Sequence, residues 1–279
     1  MVTDEVKQQY QTTDPLRIRV ETHARYSERQ IDLDAECVRA LGLVGSESLL
    51  DVGCGPGAFP CYLRAHGHIG RLAGLDQSAA MIAAATATSA ALEVEWFRGE
   101  ANALPFPDGA FDVISARHML YHVPEIPSAL GEFARVVGPG GTVFAVTNGQ
   151  HGMPHIATLR NDMLAHLGLP IPPLPSATFS IENAPGILRA AYYEVEETIL
   201  SNAFVFTEAE PIVRYVMTMM AVQQTAENPT LLAEIHDWLT VETTHRLAAM
   251  EFPFAREHDL LPRNLSRKFR GVPTATKRG

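Results

Sequence analysis

Leu49-Leu50-Asp51-Val52-Gly53-Cys54-Gly55-Pro56-Gly57 is the stretch on which the reading of this chain turns. A short apolar run ends in an acid and passes directly into three glycines separated by single residues. Glycine lets the backbone turn sharply and approach a ligand with no Cβ in between. At the carboxyl end of a parallel strand such a turn marks a ligand crevice. A second apolar run ends in Gly74-Leu75-Asp76, which sets Asp76 23 positions beyond Gly53. An acid at that distance can accept hydrogen bonds from both hydroxyls of a ribose. The third glycine comes one position earlier than in the dinucleotide fingerprint, and Pro56 removes a backbone donor from the loop. A pyrophosphate wants several N–H donors at a helix N-terminus. The pattern therefore favours an adenosine–amino-acid ligand, which carries no phosphate, over NAD.

Working outward, short apolar runs at 48–52, 71–76, 93–98, 111–115 and 141–147 alternate with helical segments. Alternating strands and helices predict an α/β fold with a mostly parallel sheet and helices on both faces. Pro105-Phe106-Pro107-Asp108-Gly109 and Gly138-Pro139-Gly140-Gly141 read as the turns before the fourth and fifth strands. Two strand-like runs within Tyr193–Phe206 are expected to close the sheet as an antiparallel pair, giving seven strands. The predicted division is an N-terminal helical cap at 1–45, a cofactor-binding core at 46–150 and a lid insertion at 151–192. Closing strands at 193–206 and C-terminal helices with a tail at 207–279 follow. Gly42 is a plausible stop for the last helix of the cap. The proline-rich stretch Pro170, Pro172, Pro173 and Pro175, with the helical additions at both ends, suggests a lid over an enclosed pocket.

Composition narrows the partners. The 279 residues are 46% apolar and 19% charged, enough for a sizeable core. Lys and Arg number 22 against 32 Asp and Glu, a net charge of −10 that opposes binding to nucleic acid. The locally basic end (Arg263, Arg267, Lys268, Arg270, Lys277, Arg278) reads as a solvated tail. Three cysteines, Cys37, Cys54 and Cys61, lack the spacing of a disulfide framework or a zinc site, so reduced thiols and a cytoplasmic location are expected. The start MVTDEVKQQYQ is polar, and no apolar run reaches the roughly 18 residues of a membrane span.

These motifs resemble the class I S-adenosylmethionine-dependent methyltransferases over roughly residues 45–148. The likeness rests on Asp51–Gly57, Asp76, Ala103-Leu104-Pro105-Phe106-Pro107-Asp108, Phe111-Asp112 and Arg135-Val136-Val137-Gly138-Pro139-Gly140-Gly141 in that order. The resemblance implies a Rossmann-like methyltransferase fold with S-adenosylmethionine as cofactor. It places Gly53 and its neighbours against the methionine portion and ribose, and Asp76 on the ribose hydroxyls. Glu100 and Ala101 would flank the adenine, and Ala116 and Arg117 would lie near the methionine amino group. Asp51, Cys54, Gly55, Gly57, Gln77, Met81 and His122 complete the implied cofactor-binding set. Glu100 departs from the family, which more often has Asp there. A narrower likeness to one bacterial subgroup of small-molecule methyltransferases runs through Arg19–Tyr26 with Ser27, Arg117-His118-Met119-Leu120-Tyr121-His122-Val123-Pro124, Thr147-Asn148-Gly149, Phe179–Asn183 and Thr207–Pro211.

Methyl transfer from a sulfonium is an in-line displacement, driven largely by holding the acceptor about 3 Å from the methyl carbon. A base is needed only where the acceptor must lose a proton. The candidates for acceptor contact or base are His118 after the fourth strand, Asn148 after the fifth, and Tyr26, with His23, on the N-terminal helix. His122 reads as structural or at the cofactor's edge, and His151 and His155 as solvated. Ser180 fits an N-cap position ahead of Glu182 and Asn183. Met217, Met219 and Met220 suit an adaptable apolar pocket. No metal-ligand spacing is present. Intramolecular cyclisation of the cofactor's aminobutyrate chain, and cofactor binding without catalysis, remain as alternatives. So do monomer and homodimer. An NAD-dependent oxidoreductase is disfavoured by the glycine spacing.

Overall fold

Fully buried strands set the frame of the molecule. The computed structural model describes residues 13–150, 153–192, 194–225 and 228–249, with the backbone of 255–256 and 264–270. His151, Lys277, Arg278 and the first residues of the expected cap lie outside the described residues. In chain order the first strands are β1 (Leu49–Val52), β2 (Leu72–Asp76), β3 (Glu95–Arg98), β4 (Val113–Arg117) and β5 (Thr142–Val146). Every residue of β1 and β5 is buried, and all but the last of β2 and β4. Strands covered on both faces read as continuous apolar runs, which is how these look in the sequence. The five pair in parallel in the order β3-β2-β1-β4-β5. Chain direction across the sheet reverses between β1 and β4, the switch point where such folds open a ligand crevice.

The far side of the sheet corrects the expected closing pair. The later strands are β6 (Thr198–Leu200), β7 (Val205–Phe206), β8 (Ala255–Arg256) and β9 (Asn264–Arg270). β9 runs antiparallel beside β5, with Val143 opposite Phe269, and β6 joins the sheet through β9. β7 pairs instead with β8 in a separate ribbon. Residues 193–206 thus contribute one strand to the main sheet, and the neighbour of β5 comes from the stretch read as a solvated basic tail. Leu265 and Phe269 share one parity along β9, a weak period-two signal that the surrounding Arg and Lys outweigh.

The helices are α1 (Asp14–Tyr26), α2 (Leu33–Leu41), α3 (Ala58–Ala65), α4 (Ala79–Thr88), α5 (Ile126–Val137), α6 (Pro154–His166), α7 (Ala184–Ala191), α8 (Ala209–Met217), α9 (Met220–Gln223) and α10 (Pro229–Ala249). Their ends follow local chemistry. Asp14 and Pro15 open α1, the Asp32 carboxylate accepts from Ala35 N to start α2, and Gly42, at φ +63°, stops it. One apolar cluster packs α5 and α7 against the sheet through Phe133, Leu130, Ala184 and Leu188. A second packs α2 and α3 against it through Cys37, Leu41, Phe59 and Leu63. A third joins α6, α8, α9 and α10 around Phe204 and Phe206, with Tyr26 of α1 against it. The expected lid at 151–192 is therefore divided: α6 belongs to the helical layer, whereas Phe179 and α7 pack on the sheet.

Long-range hydrogen bonds tie α1 to this helical layer. Arg19 Nε donates to Thr218 Oγ1 at 3.0 Å and Nη2 to the Thr218 carbonyl at 2.7 Å. Glu28 N donates to the Ala203 carbonyl at 2.7 Å, and Asn202 exchanges two bonds with the Arg29 backbone.

Candidate cofactor site and acceptor chamber

The loop after β1 is held by its own backbone. Gly53 N and Cys54 N both donate to the Leu75 carbonyl, at 2.7 and 3.1 Å. Asp76 then clamps the turn: its carboxylate accepts from Gly55 N at 3.0 Å and from Ser78 N at 2.8 Å. Burial raises the Asp76 carboxyl while these N–H donors pull the other way. Each oxygen retains acceptor capacity for a further donor.

The loop glycines are not equivalent. A Cβ on Gly57 (φ +83°) would stand 2.4 Å from Trp96 Cη2, so this glycine is required by packing. A Cβ on Gly55 (φ +54°) would meet only Leu16 Cδ2, at 3.7 Å. Gly55 therefore lies against the Leu16 side chain of α1 with room for a Cβ, and its left-handed backbone rather than crowding is what favours glycine there. Gly53 lies under Met119, whose Cβ would be 2.7 Å from an added side chain.

Beneath the loop lies a buried charge cluster. Asp51 is 2% exposed, and its Oδ1 has no hydrogen-bond partner. Burial pushes its carboxyl up to about 6, against the pull of Arg117. Arg117 Nη1 donates to Asp34 Oδ1 of α2 at 2.5 Å, and its guanidinium lies 4.1 Å from the centre of the Phe59 ring. Its Nε stands 3.9 Å from Asp51 Oδ1. Cys54 is a free, buried thiol whose ionisation burial opposes, and Cys37 is raised to about 11 in the same way.

The remaining implied cofactor residues fall along the same edge. Gln77 is half-buried and its carbonyl accepts from Arg98. Met81 is buried in the first turn of α4. Glu100 is exposed, facing Ala103 across an isolated bridge, and Ala101 packs against the core. The Ala116 side chain is wholly buried, which leaves its backbone as the part nearest the edge.

The acceptor candidates gather at the ends of β4 and β5. His118 has φ +53°, unusual for a residue with a Cβ, and its N–H donates to the Val146 carbonyl at 2.8 Å. Its ring makes no hydrogen bond among the described residues. Burial, then the charges of Arg117, His23 and His122, bring its pKa down to about 3. Asn148 Oδ1 is likewise buried and without a partner, while its backbone carbonyl accepts from Ile181 N. His23 of α1 is lowered to about 4, and His122 to about 3, in each case by burial and then by Arg19. The His23 ring lies 4.7 Å from that of Phe204, and Tyr26 5.2 Å from Phe206. Tyr26 thus belongs to the helical layer, and His155 is exposed. Ser180 Oγ accepts from Asn183 N at 3.4 Å and Asn183 Oδ1 accepts from Ser180 N at 2.7 Å, a reciprocal capping pair one turn ahead of α7, whose first regular turn follows Asn183.

Arg19, Asp34 and Thr218 were not among the sequence candidates. Arg19 and His23 are spaced by four on α1, which puts them on one helix face and is the signal that could have raised Arg19. Among the described residues no group of three or more His, Cys, Asp or Glu is placed to hold a metal ion. Nor is any described helix long and apolar enough to cross a membrane.

Residues 50–145 match a family model described as a methyltransferase domain. Over 106 residues the chain is 40% identical to demethylmenaquinone methyltransferase of Bacillus licheniformis, covering 37% of this chain and 46% of that one. Over 142 residues it is 34% identical to 2-phytyl-1,4-naphtoquinone methyltransferase of Synechocystis, covering 49% and 60%. The chain spans about half the length of the curated relatives it matches. Among solved structures the (4+2)-cyclase SpnF superposes with a TM-score of 0.55 at 21% identity, over 96% of this chain and 95% of that one. Haemonchus contortus phospholethanolamine N-methyltransferase 2, complexed with S-adenosylhomocysteine, superposes with a TM-score of 0.52 at 15% identity, over 86% and 52%. Those two likenesses concern the fold. The matched motifs, the strand order and the glycine loop agree, and residues 50–145 are a methyltransferase domain of the class I, Rossmann-like kind.

Proposed function

We propose that the chain binds S-adenosylmethionine over the glycine loop and transfers its methyl group to a small apolar molecule held beneath the helical layer. The observation that carries this is the Asp76 clamp on Gly55, at the switch point of the sheet, where a Cβ on Gly55 would meet only Leu16 Cδ2 among the described residues. The residues fit the cofactor. Asp76 keeps acceptor capacity for ribose hydroxyls, and a buried acid under the loop suits a ligand that carries positive charge. Bound there, S-adenosylmethionine supplies a methyl group already activated on sulfonium. Gly53, Cys54, Gly55 and Gly57 shape the cradle, Gln77, Met81, Glu100 and Ala101 border the adenosine, and Ala116 and His122 border the methionine side.

The protein's contribution to the transfer is placement. His118 and Asn148 offer a neutral ring nitrogen and an amide carbonyl, neither hydrogen-bonded among the described residues. A general base works best with a pKa near the operating pH. At about 3, His118 is poorly matched to that task and serves as an orienting hydrogen-bond partner. His23 and Tyr26 pack against the buried Phe204 and Phe206 rings, which seat α1 on the helical layer. The relatives matched over the core are named for demethylmenaquinone and 2-phytyl-1,4-naphtoquinone, which favours an apolar ring compound as acceptor. We take α1 with the helical layer as the lid, β6 and β9 as the strands that complete the sheet at seven, and the acidic chain as a cytoplasmic enzyme that does not bind nucleic acid.

Calorimetric titration with S-adenosylmethionine, S-adenosylhomocysteine and NAD tests the cofactor. Binding of both adenosyl ligands and not NAD is expected; binding of NAD alone would overturn the reading. Incubation with methyl-labelled cofactor and a panel of quinols, phenols and amines then tests transfer. Label recovered in methylthioadenosine, with the aminobutyrate chain released as a ring, would favour intramolecular cyclisation.

A further inference from the structure

Two buried atoms of opposite character face each other without bonding. Arg117 Nε and Asp51 Oδ1 are each out of contact with solvent, each lacks a hydrogen-bond partner, and they stand 3.9 Å apart. Leaving a buried donor and a buried acceptor unmade is costly, and a small movement would join them. The other end of the guanidinium shows why they stay apart. Arg117 Nη1 is drawn to Asp34 Oδ1 of α2 at 2.5 Å, and its carbon lies over Phe59 of α3. The arginine is held away from Asp51 by its second carboxylate and by the ring.

We propose that Arg117 is a positioning residue shared between two carboxylates, Asp34 of α2 and Asp51 of β1, and that this division sets the charge beneath the cofactor loop. The inference rests on the cofactor reading above and deepens it. Arg117 acts through Asp51, and the N-terminal cap, through Asp34, competes for the same guanidinium. The groups facing Asp51 come from every element around it: Arg117 and the Ser115 hydroxyl from β4, Asp34 and Cys37 from α2, Asp76 from β2, and Cys54 from the loop. Arg117 alone among them favours the ionised carboxylate by its charge, while Asp34 and Asp76 oppose it. Removing Arg117 and removing Asp34 therefore displace Asp51 in opposite directions. Direct repulsion by Asp34 acts in the same sense, so the sharing is read from Asp34→Asn made in the Arg117→Gln background, where the downward step should shrink.

The test follows Asp51 directly in the full chain, free of any ligand. Protein carrying 13C at the aspartate carboxyls is titrated by NMR, with the Asp51 signal assigned by its loss in Asp51→Asn. The parent midpoint is expected near 6. In Arg117→Gln it moves up by about 1–3 pH units, and in Asp34→Asn it moves down by a smaller step. An Asp34→Asn midpoint that stays in place or moves up would overturn the proposal, as would an unmoved midpoint in Arg117→Gln. Asp34 has a partly exposed side chain, so its variant can still overturn the proposal where Arg117→Gln does not fold. S-adenosylmethionine affinity is then measured across the same pH range. In the parent it should fall about tenfold per pH unit below the Asp51 midpoint. Asp34→Asn should hold its affinity to lower pH. A parent that binds no S-adenosylmethionine at any pH sinks the cofactor reading and leaves the NMR midpoints to judge the Arg117 proposal.

Discussion

The proposed cofactor edge and the proposed acceptor side lie along the same rim of the sheet and are built from different materials. The edge is made of backbone and carboxylates: left-handed glycines, N–H groups captured by Asp76, and Asp51 below. The proposed acceptor side draws on side chains from distant parts of the chain: His23, His118 and the Asn148 amide. Backbone geometry does not change with the identity of most side chains, whereas a chamber of side chains can be altered one residue at a time. On the proposed reading, the difference would let the acceptor side change while the cofactor edge is kept. The edge lies within the matched residues 50–145, as do His118 and His122, whereas His23, Tyr26, Asn148, Phe204 and Phe206 lie outside them.

Acid should separate the two regions most strongly. His118, His122 and His23 have folded pKa values of about 3, 3 and 4, against 6.5 for a free ring. Between about pH 6.5 and 4 the unfolded chain binds more protons at these sites, so stability falls as the pH is lowered. Asp51 works against this. Its folded value of about 6 lies above the free 3.8, and its contribution is lost as pH rises through that range. Each histidine should cost about 1–2 kcal/mol at pH 5, and together they should outweigh Asp51. Chemical denaturation at pH 7 and pH 5 measures the balance; equal stability at both would remove the chamber's acid sensitivity. Next in size, Gly57→Val should destabilise the chain by about 3 kcal/mol and abolish cofactor binding, from the clash with Trp96 and the strained backbone. A normal melting temperature would show that the edge is softer than its geometry implies.

Asp76→Ala should weaken S-adenosylmethionine binding by about 1–3 kcal/mol, read by calorimetry. Asn148→Ala should do the reverse kind of damage. It should lower kcat/KM for the acceptor by about tenfold, or about 1.4 kcal/mol, and leave cofactor affinity within about twofold. Because Asn148 Oδ1 has no partner among the described residues, its loss should cost little stability. Equal damage to cofactor and acceptor binding would join the two regions into one.

Much of the edge was legible because its signals are local. Asp51 and the glycine spacing are contiguous, and Asp76 ends the very next strand, so neighbours in sequence are neighbours in space. The chamber was less legible. His118 and Asn148 could be found from their places after β4 and β5, but Arg19 meets Thr218 across 199 positions and leaves no short pattern. Asp34 likewise reaches Arg117 across 83 positions. On the far side of the sheet the short run in 193–206 suggested a hairpin, because adjacent strands usually pair. The pairing went instead to a strand more than 60 positions later, whose charges masked its alternation.

That late strand imposes an order of events. β6 has no place in the main sheet except beside β9, so it is made long before its partner exists. As the chain leaves the ribosome, β1 to β5 can assemble while the outer edge of β5 still offers a row of unpaired N–H and C=O groups. A nascent or nicked chain missing 264–270 would carry both an open sheet edge and a stranded β6. The time spent waiting for residue 270 is the interval in which this protein is most exposed to the wrong partner.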